Sequence, residues 1–321
     1  MSTETQREDV TERGFLERLR ASPFLSELLS NRLAVVGLAI IGAMVVTAVS
    51  ARLLLDMGAL SSSQFGTNPS LQGPCGERAL FDIFASAGSC GSYPFGTDVQ
   101  ARNIFHRTLY GAWLAMKYGT ITVGASTVLG VGLGTLAAYY GDVADNVIMR
   151  SMDVLLAFPA LLLALALVAI FPESWGLWRA VAALTLVYTP RFARVVRGAA
   201  LKVLEDEYID ATVALGAKDP RVLVRHILPN SLAPITVQST LNFGLAIIDL
   251  AALSFLGFGA SVGTPSWGLM LSNGVEQGLL TGQWWWSFFP GLFLAVTVLG
   301  FNLLGDGMRD ALDPRMRETV D

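Results

Sequence analysis

The chain has 321 residues, 53% of them hydrophobic and only 15% charged, with a formal net charge of −4 and a mean hydropathy of +0.52. Soluble domains carry about 25% charged residues, so this composition argues against a water-soluble globule and for a chain whose solvent is largely lipid. Nucleic acid is not an expected partner; the lipid bilayer is.

In chain order, six apolar runs approach the roughly 20 residues needed to span hydrocarbon. They lie at about Leu33 to Leu55, Tyr118 to Tyr140, Met152 to Phe171, Arg179 to Val196, Ile235 to Gly257 and Ser287 to Leu304. The expected fold is therefore an all-α membrane protein with six transmembrane helices. Its parts are an N-terminal tail 1–32, a first helix 33–55, a loop 56–117, a five-helix core 118–304 and a C-terminal tail 305–321. The first run follows some 30 polar residues and is too long for a signal-peptide core, so a cleaved signal is not expected. Lys and Arg favour cytoplasmic loops, and most of them share one side if the N-terminus is inside. Both termini are then cytoplasmic, the segment 203–230 is cytoplasmic too, and the loop 56–117 is extracytoplasmic.

That loop holds both cysteines, Cys75 and Cys90, in a compartment that permits a disulfide, with two unpaired thiols as the alternative. Next, "FGTDVQARNIFHRTLYGAW" reads as a turn and a helix capped by Thr97 or Asp98, with an apolar stripe of Ile104, Phe105, Leu109 and Trp113 at the outer interface. Gly130, Gly132 and Gly134 sit inside the second run without a preceding strand, which points to close helix packing and not to a nucleotide loop. Arg191, Arg194 and Arg197 recur at the inner end of the fourth run and read as headgroup anchors in preference to a gating role. Asp249 lies inside the fifth run, where a carboxylate is costly, so it is either a translocation-path residue or a structural hydrogen-bonding group. Trp284, Trp285 and Trp286 precede the last run as an interfacial aromatic belt would.

The chemistry missing from the sequence narrows the function. There is no G-x-x-x-x-G-K-[ST] and no G-x-S-x-G, and His106 and His226 stand in no metal-ligand spacing. No enzyme activity, resident cofactor or metal is expected of this chain. A channel, an ion-coupled carrier using Asp249, a membrane scaffold, or a membrane subunit driven by partners remain.

The polar stretch "EYIDATVALGAKDPRVLVRHILPN", Glu207 to Asn230, lies between two spans and reads as an elbow of two short helices. Leu204 to Leu215 is the first, with Glu205, Asp206 and Glu207 in its first turn and Gly216 as its left-handed stop. Asp219 caps the second, Pro220 opens it and Pro229 ends it. Small residues Ala211, Ala214 and Ala217 around Gly216 give a narrow surface suited to a groove on another protein.

Within this stretch, "DATVALGAKDPRVLVRHILP" resembles the EAA motif of ABC importer permeases, E-A-A-x3-G-x9-I-x-L-P. Ala211, Gly216, Leu228 and Pro229 are in register, while Asp210, Thr212 and His226 replace Glu, Ala and Ile. "FGTDVQARNIFHRTLYGA", "LSFLGFGASVGTPSWGLML" and "NLLGDGMRDALDPR" are similar to the C-type permease subunit of the dipeptide/oligopeptide/nickel group. Two stretches depart from that pattern: Ala101, Arg102 and Asn103 stand for Gly-Arg-Asp, and the acid near "LSFLG" is Asp249 where the family often has Glu at the position of Leu250. The resemblance implies a type I ABC importer permease in the cytoplasmic membrane of a prokaryote. It implies a homologous second permease, two cytoplasmic ATPase subunits that bind ATP and Mg, and an external solute-binding protein as partners. Asp210, Ala211, Thr212, Ala214, Leu215, Gly216, Ala217, Asp219, Leu228 and Pro229 would form the ATPase-coupling site.

Overall fold

The computed structural model describes residues 23–74, 93–278 and 282–312, and every regular element among them is helical. α1 (Pro23–Ser30) is followed by α2 (Arg32–Leu54), which starts where the Asn31 side chain accepts from the amides of Leu33 and Ala34. A short α3 (Met57–Ser61) follows, capped by Asp56. Cys75 and Cys90 lie outside the described residues.

α4 (Ile104–Tyr140) is the longest element, at 37 residues. At 1.5 Å per residue it measures about 55 Å, well beyond the roughly 30 Å hydrocarbon core. The outer helix and the second span expected from sequence are thus one rod. Its cap is neither Thr97 nor Asp98 but Asn103, whose side chain accepts from the amides of Phe105 and His106. Asp98 is buried, 2.6 Å from Arg102 Nε, and accepts the amides of Gln100 and Arg102. Its charge organises the loop before the helix, and so is not available to the helix end.

The third run is not one straight helix. α5 (Asp142–Leu156) and α6 (Ala160–Ile170) meet at a 97° bend. Pro159 sits at the corner, where it cannot donate to a continuing helix and forces Phe158 away from helical geometry. α7 (Leu177–Leu204) contains the expected fourth run and extends it to 28 residues. After the polar elbow, which holds α8 (Glu207–Ala214), α9 (Asp219–Val222) and α10 (Leu228–Asn230), come α11 (Leu232–Phe255), a short buried α12 (Trp267–Asn273) and α13 (Trp285–Leu312). Four helices among the described residues, α2, α4, α11 and α13, are long and apolar enough to cross a membrane, and the bent α5–α6 pair makes five.

The molecule is built around the α4–α7 seam. Gly130 and Gly134 of α4 back onto Thr189, Phe192, Ala193 and Val196 of α7, where a Cβ at either glycine would collide with backbone. Gly132 faces open space, so two of the three glycines make the seam. Leu184, Tyr188, Phe192 and Val168 fill the adjacent core, all fully buried. α12 is pinned to α4 by Trp267, whose indole N–H donates to Thr108 O at 2.9 Å.

One member of the tryptophan triplet is core, while Trp284 and Trp285 are half-buried. Trp286 is 2% exposed and packs with Ile104 and Met270, and the Trp285 indole N–H donates to Thr97 O at 3.4 Å. An apolar core under the loop 93–103 draws these rings inward. Arg191, Arg194 and Arg197 of α7 have protein partners as well. Arg197 pairs with Asp145 and Arg194 with Asp153, both acids on α5, while the Arg191 guanidinium lies 5.3 Å from the Tyr188 ring centroid.

Candidate functional site

The elbow occupies 205–230 and opens with α8 (Glu207–Ala214). The helix is shorter than the expected Leu204 to Leu215, because Leu204 ends α7, Glu205 caps it, and Asp206 turns extended to begin α8. Glu207 and Asp210 occupy the first turn, beside the positive end of the helix dipole. The C-terminus is a Schellman motif: Gly216 N–H donates to Val213 O at 2.8 Å and Ala217 N–H to Thr212 O at 3.2 Å. Gly216 adopts φ +85°, which a side chain would strain.

α9 (Asp219–Val222) begins after Lys218, which takes the extended cap position expected for Asp219. Asp219 is one residue inside the helix and its carboxylate is engaged elsewhere. It accepts from the hydroxyls of Tyr139, at 3.0 Å, and Tyr140, at 3.3 Å, both at the end of α4. Nor does Pro229 end the helix. A π turn at Leu223–Ile227 leads into α10 (Leu228–Asn230), and Leu228 N–H reaches back five residues to Leu223 O. The wide turn relieves the ring-to-carbonyl clash that Pro229 would make in a regular α-helix.

The elbow has two faces. Inward, Ile209, Val222 and Ile227 are buried against Ala138 of α4 and Ala200 and Val203 of α7. Outward, Leu215 is 89% exposed at the tip, with Val213 at 47% two residues before it, and Val224 on the second arm is 62% exposed. Isolated exposed apolar residues are ordinary, but here a turn tip with a fixed backbone presents Val213 and Leu215 two residues apart. Asn230 Nδ2 donates to the Tyr208 hydroxyl at 3.0 Å, joining the two arms.

Of the residues singled out in the sequence, Asp210, Ala211, Ala214, Leu215 and Gly216 lie exposed on or beside the tip. Thr212 and Ala217 are half-buried, and the Thr212 hydroxyl bonds back to Tyr208 O. Leu228 is half-buried and Pro229 exposed on the second arm. Sequence reasoning missed Tyr139 and Tyr140, the mooring points, and Val224. Asp249 is far along the chain from the elbow, and its Oδ2 accepts from the Tyr188 hydroxyl at 2.6 Å. Among the described residues no group of three or more His, Cys, Asp or Glu is placed to hold a metal.

A family model for the binding-protein-dependent transport system inner membrane component matches residues 130–318, which include the α4–α7 seam and the whole elbow. The chain belongs to this family. The permease is 44% identical over 293 residues to the dipeptide transport system permease protein DppC of Alkalihalophilus pseudofirmus, covering 91% of this chain and 88% of that one. It is 41% identical over 231 residues to DppC of Escherichia coli, covering 72% and 76%. It is 42% identical over 230 residues to the glutathione transport system permease protein GsiD of Pectobacterium atrosepticum, covering 72% and 75%. Among solved structures, a chain of the inward-facing MetNI methionine ABC transporter matches with a TM-score of 0.51 at 18% identity, over 65% of the permease and 98% of that chain. That likeness fixes the fold as one found in ABC importers. The permease is an inner-membrane subunit of such an importer.

Proposed function

We propose that this permease translocates peptides across the cytoplasmic membrane as one of two homologous membrane subunits, driven by ATP hydrolysis in separate ATPase subunits. In this reading α7 adds a sixth span to the five helical ones, both termini are cytoplasmic, and an external binding protein delivers the solute. The elbow docks in a groove of one ATPase subunit, with Leu215, Val213 and Gly216 at its tip. The observation that carries this reading is the two-sided elbow: an exposed apolar tip on a backbone moored to α4 by Asp219 and to α7 by Ile209.

Closure of ATP-loaded ATPase subunits moves the tip, and the moored helices follow. A ligand shifts such an equilibrium only by its differential affinity for the two states, so the elbow must bind one ATPase geometry better than the other. MgATP belongs to those partners, and this chain supplies the lever. The peptide class rests on the dipeptide and glutathione permeases it resembles. Measuring ATP-dependent uptake of dialanine by the reconstituted complex, with wild type against Leu215→Asp, tests both parts. Uptake by wild type and its loss in the variant support the reading, and unchanged uptake in the variant overturns the docking role.

A further inference from the structure

At the end of the molecule opposite the elbow, a cavity of about 500 Å³ opens between the ends of α2, α4 and α7. Its walls include Tyr110, Trp113, Tyr118 and Trp175, and its cations are Arg52 at the rim and Lys117. Among the described residues no carboxylate lines it. The Lys117 ammonium is half-buried, 5.0 Å from the Tyr118 ring centroid and 5.6 Å from that of Trp178. These rings fix the cation in place without neutralising it. Neither Lys117 nor Arg52 makes an ion pair or a side-chain hydrogen bond among the described residues. Ser174, Ser261 and Thr264 add hydroxyl donors.

Among the described residues Lys117 thus has ring contacts and no anion, which leaves its charge open to a ligand. The volume falls within the range of small-molecule sites, which pair apolar walls with a few placed polar groups. We propose that this cleft is a subsite for the carboxylate of a small organic solute at the outer mouth, with Lys117 as the principal anion ligand and the aromatic walls taking the adjoining apolar body. The inference rests on the peptide reading above, in which the solute's carboxylate is the peptide C-terminus.

The assembled transporter in phosphatidylcholine nanodiscs is titrated with N-acetyl-alanyl-alanine and with its C-terminal amide, following tryptophan fluorescence. The expected result is saturable binding of the carboxylate and not of the amide, weakened about tenfold by Lys117→Gln and restored by Lys117→Arg, the scale of one charge-assisted hydrogen bond. Arg52→Gln produces a smaller loss. Equal binding of the amide, or no effect of Lys117→Gln, overturns the proposal. Competition by phosphatidylglycerol nanodiscs identifies a lipid headgroup as the occupant and overturns it as well. So does a Lys117→Gln variant that weakens only the docking of the external binding protein. Uptake of dialanine separates the two readings. Carboxylate binding without dialanine uptake by wild type overturns the peptide reading alone, and uptake unchanged by Lys117→Gln overturns the subsite alone.

Discussion

The α4–α7 seam and the elbow are both contacts between α4 and α7 or their extensions, yet they are built from opposite materials. At the seam, Gly130 and Gly134 let two backbones touch over Phe192 and Ala193, and nothing there can shift without opening a void or a clash. The elbow rests on a small apolar patch around Ile209 and Val222 and on two tyrosine hydroxyls that meet one carboxylate. One joint is rigid and dry. The other is held by exposed hydrogen bonds and carries a π turn in its second arm. A lever needs both: a stiff beam to carry motion inward and a tip exposed enough to be gripped.

Four substitutions test that contrast. Gly130→Leu drives a side chain into the α7 backbone and should destabilise the permease by about 3 kcal/mol or more, read as loss of folded protein after detergent extraction. If Gly130→Leu yields normal amounts of active complex, the seam is not rigid. Leu215→Asp changes a side chain that is 89% exposed among the described residues, so the melting temperature should hold. ATPase subunits should then fail to co-purify, and uptake should fall at least about tenfold, as expected when a hot-spot contact is lost. Retained co-purification would place the docking surface elsewhere. Asp219→Asn keeps the shape of the mooring but removes its charge. A loss of about 1 kcal/mol is expected for these exposed bonds, seen as earlier proteolytic nicking of the elbow while the helices stay protected. Smallest of all, Arg197→Gln breaks a partly exposed pair with Asp145, and should shift stability by less than about 1 kcal/mol and lose that effect in high salt.

Much of the elbow could be read from residue types alone. Gly216 announces a left-handed stop, and the structure supplies φ +85° and both Schellman bonds. The second arm misled for a local reason: Pro229 is a helix breaker in an α register, but the π turn absorbs it. Asp219 misled for a tertiary one, since its natural capping role loses to two tyrosines that lie some 80 positions earlier in the chain. The loop 93–103 shows how a departure from a motif is accommodated. Asn103 replaces an acid and still caps α4, because either side chain offers the needed oxygen. Ala101 replaces glycine and accepts φ +60° in a buried turn, a left-handed conformation that costs an alanine about 1 kcal/mol.

The sequence by itself determined the solvent, because only a lipid-embedded chain sustains runs so long and so poor in charge. It also determined the elbow, because caps, stops and small residues act over a few positions. Tertiary structure alone decided what each side chain faces. It turned Trp286 into core, gave Arg194 and Arg197 their acids, folded the third run at Pro159 and joined Tyr188 to Asp249. Burial and pairing between distant segments depend on which helices meet, and a periodicity read along one helix does not contain its neighbour.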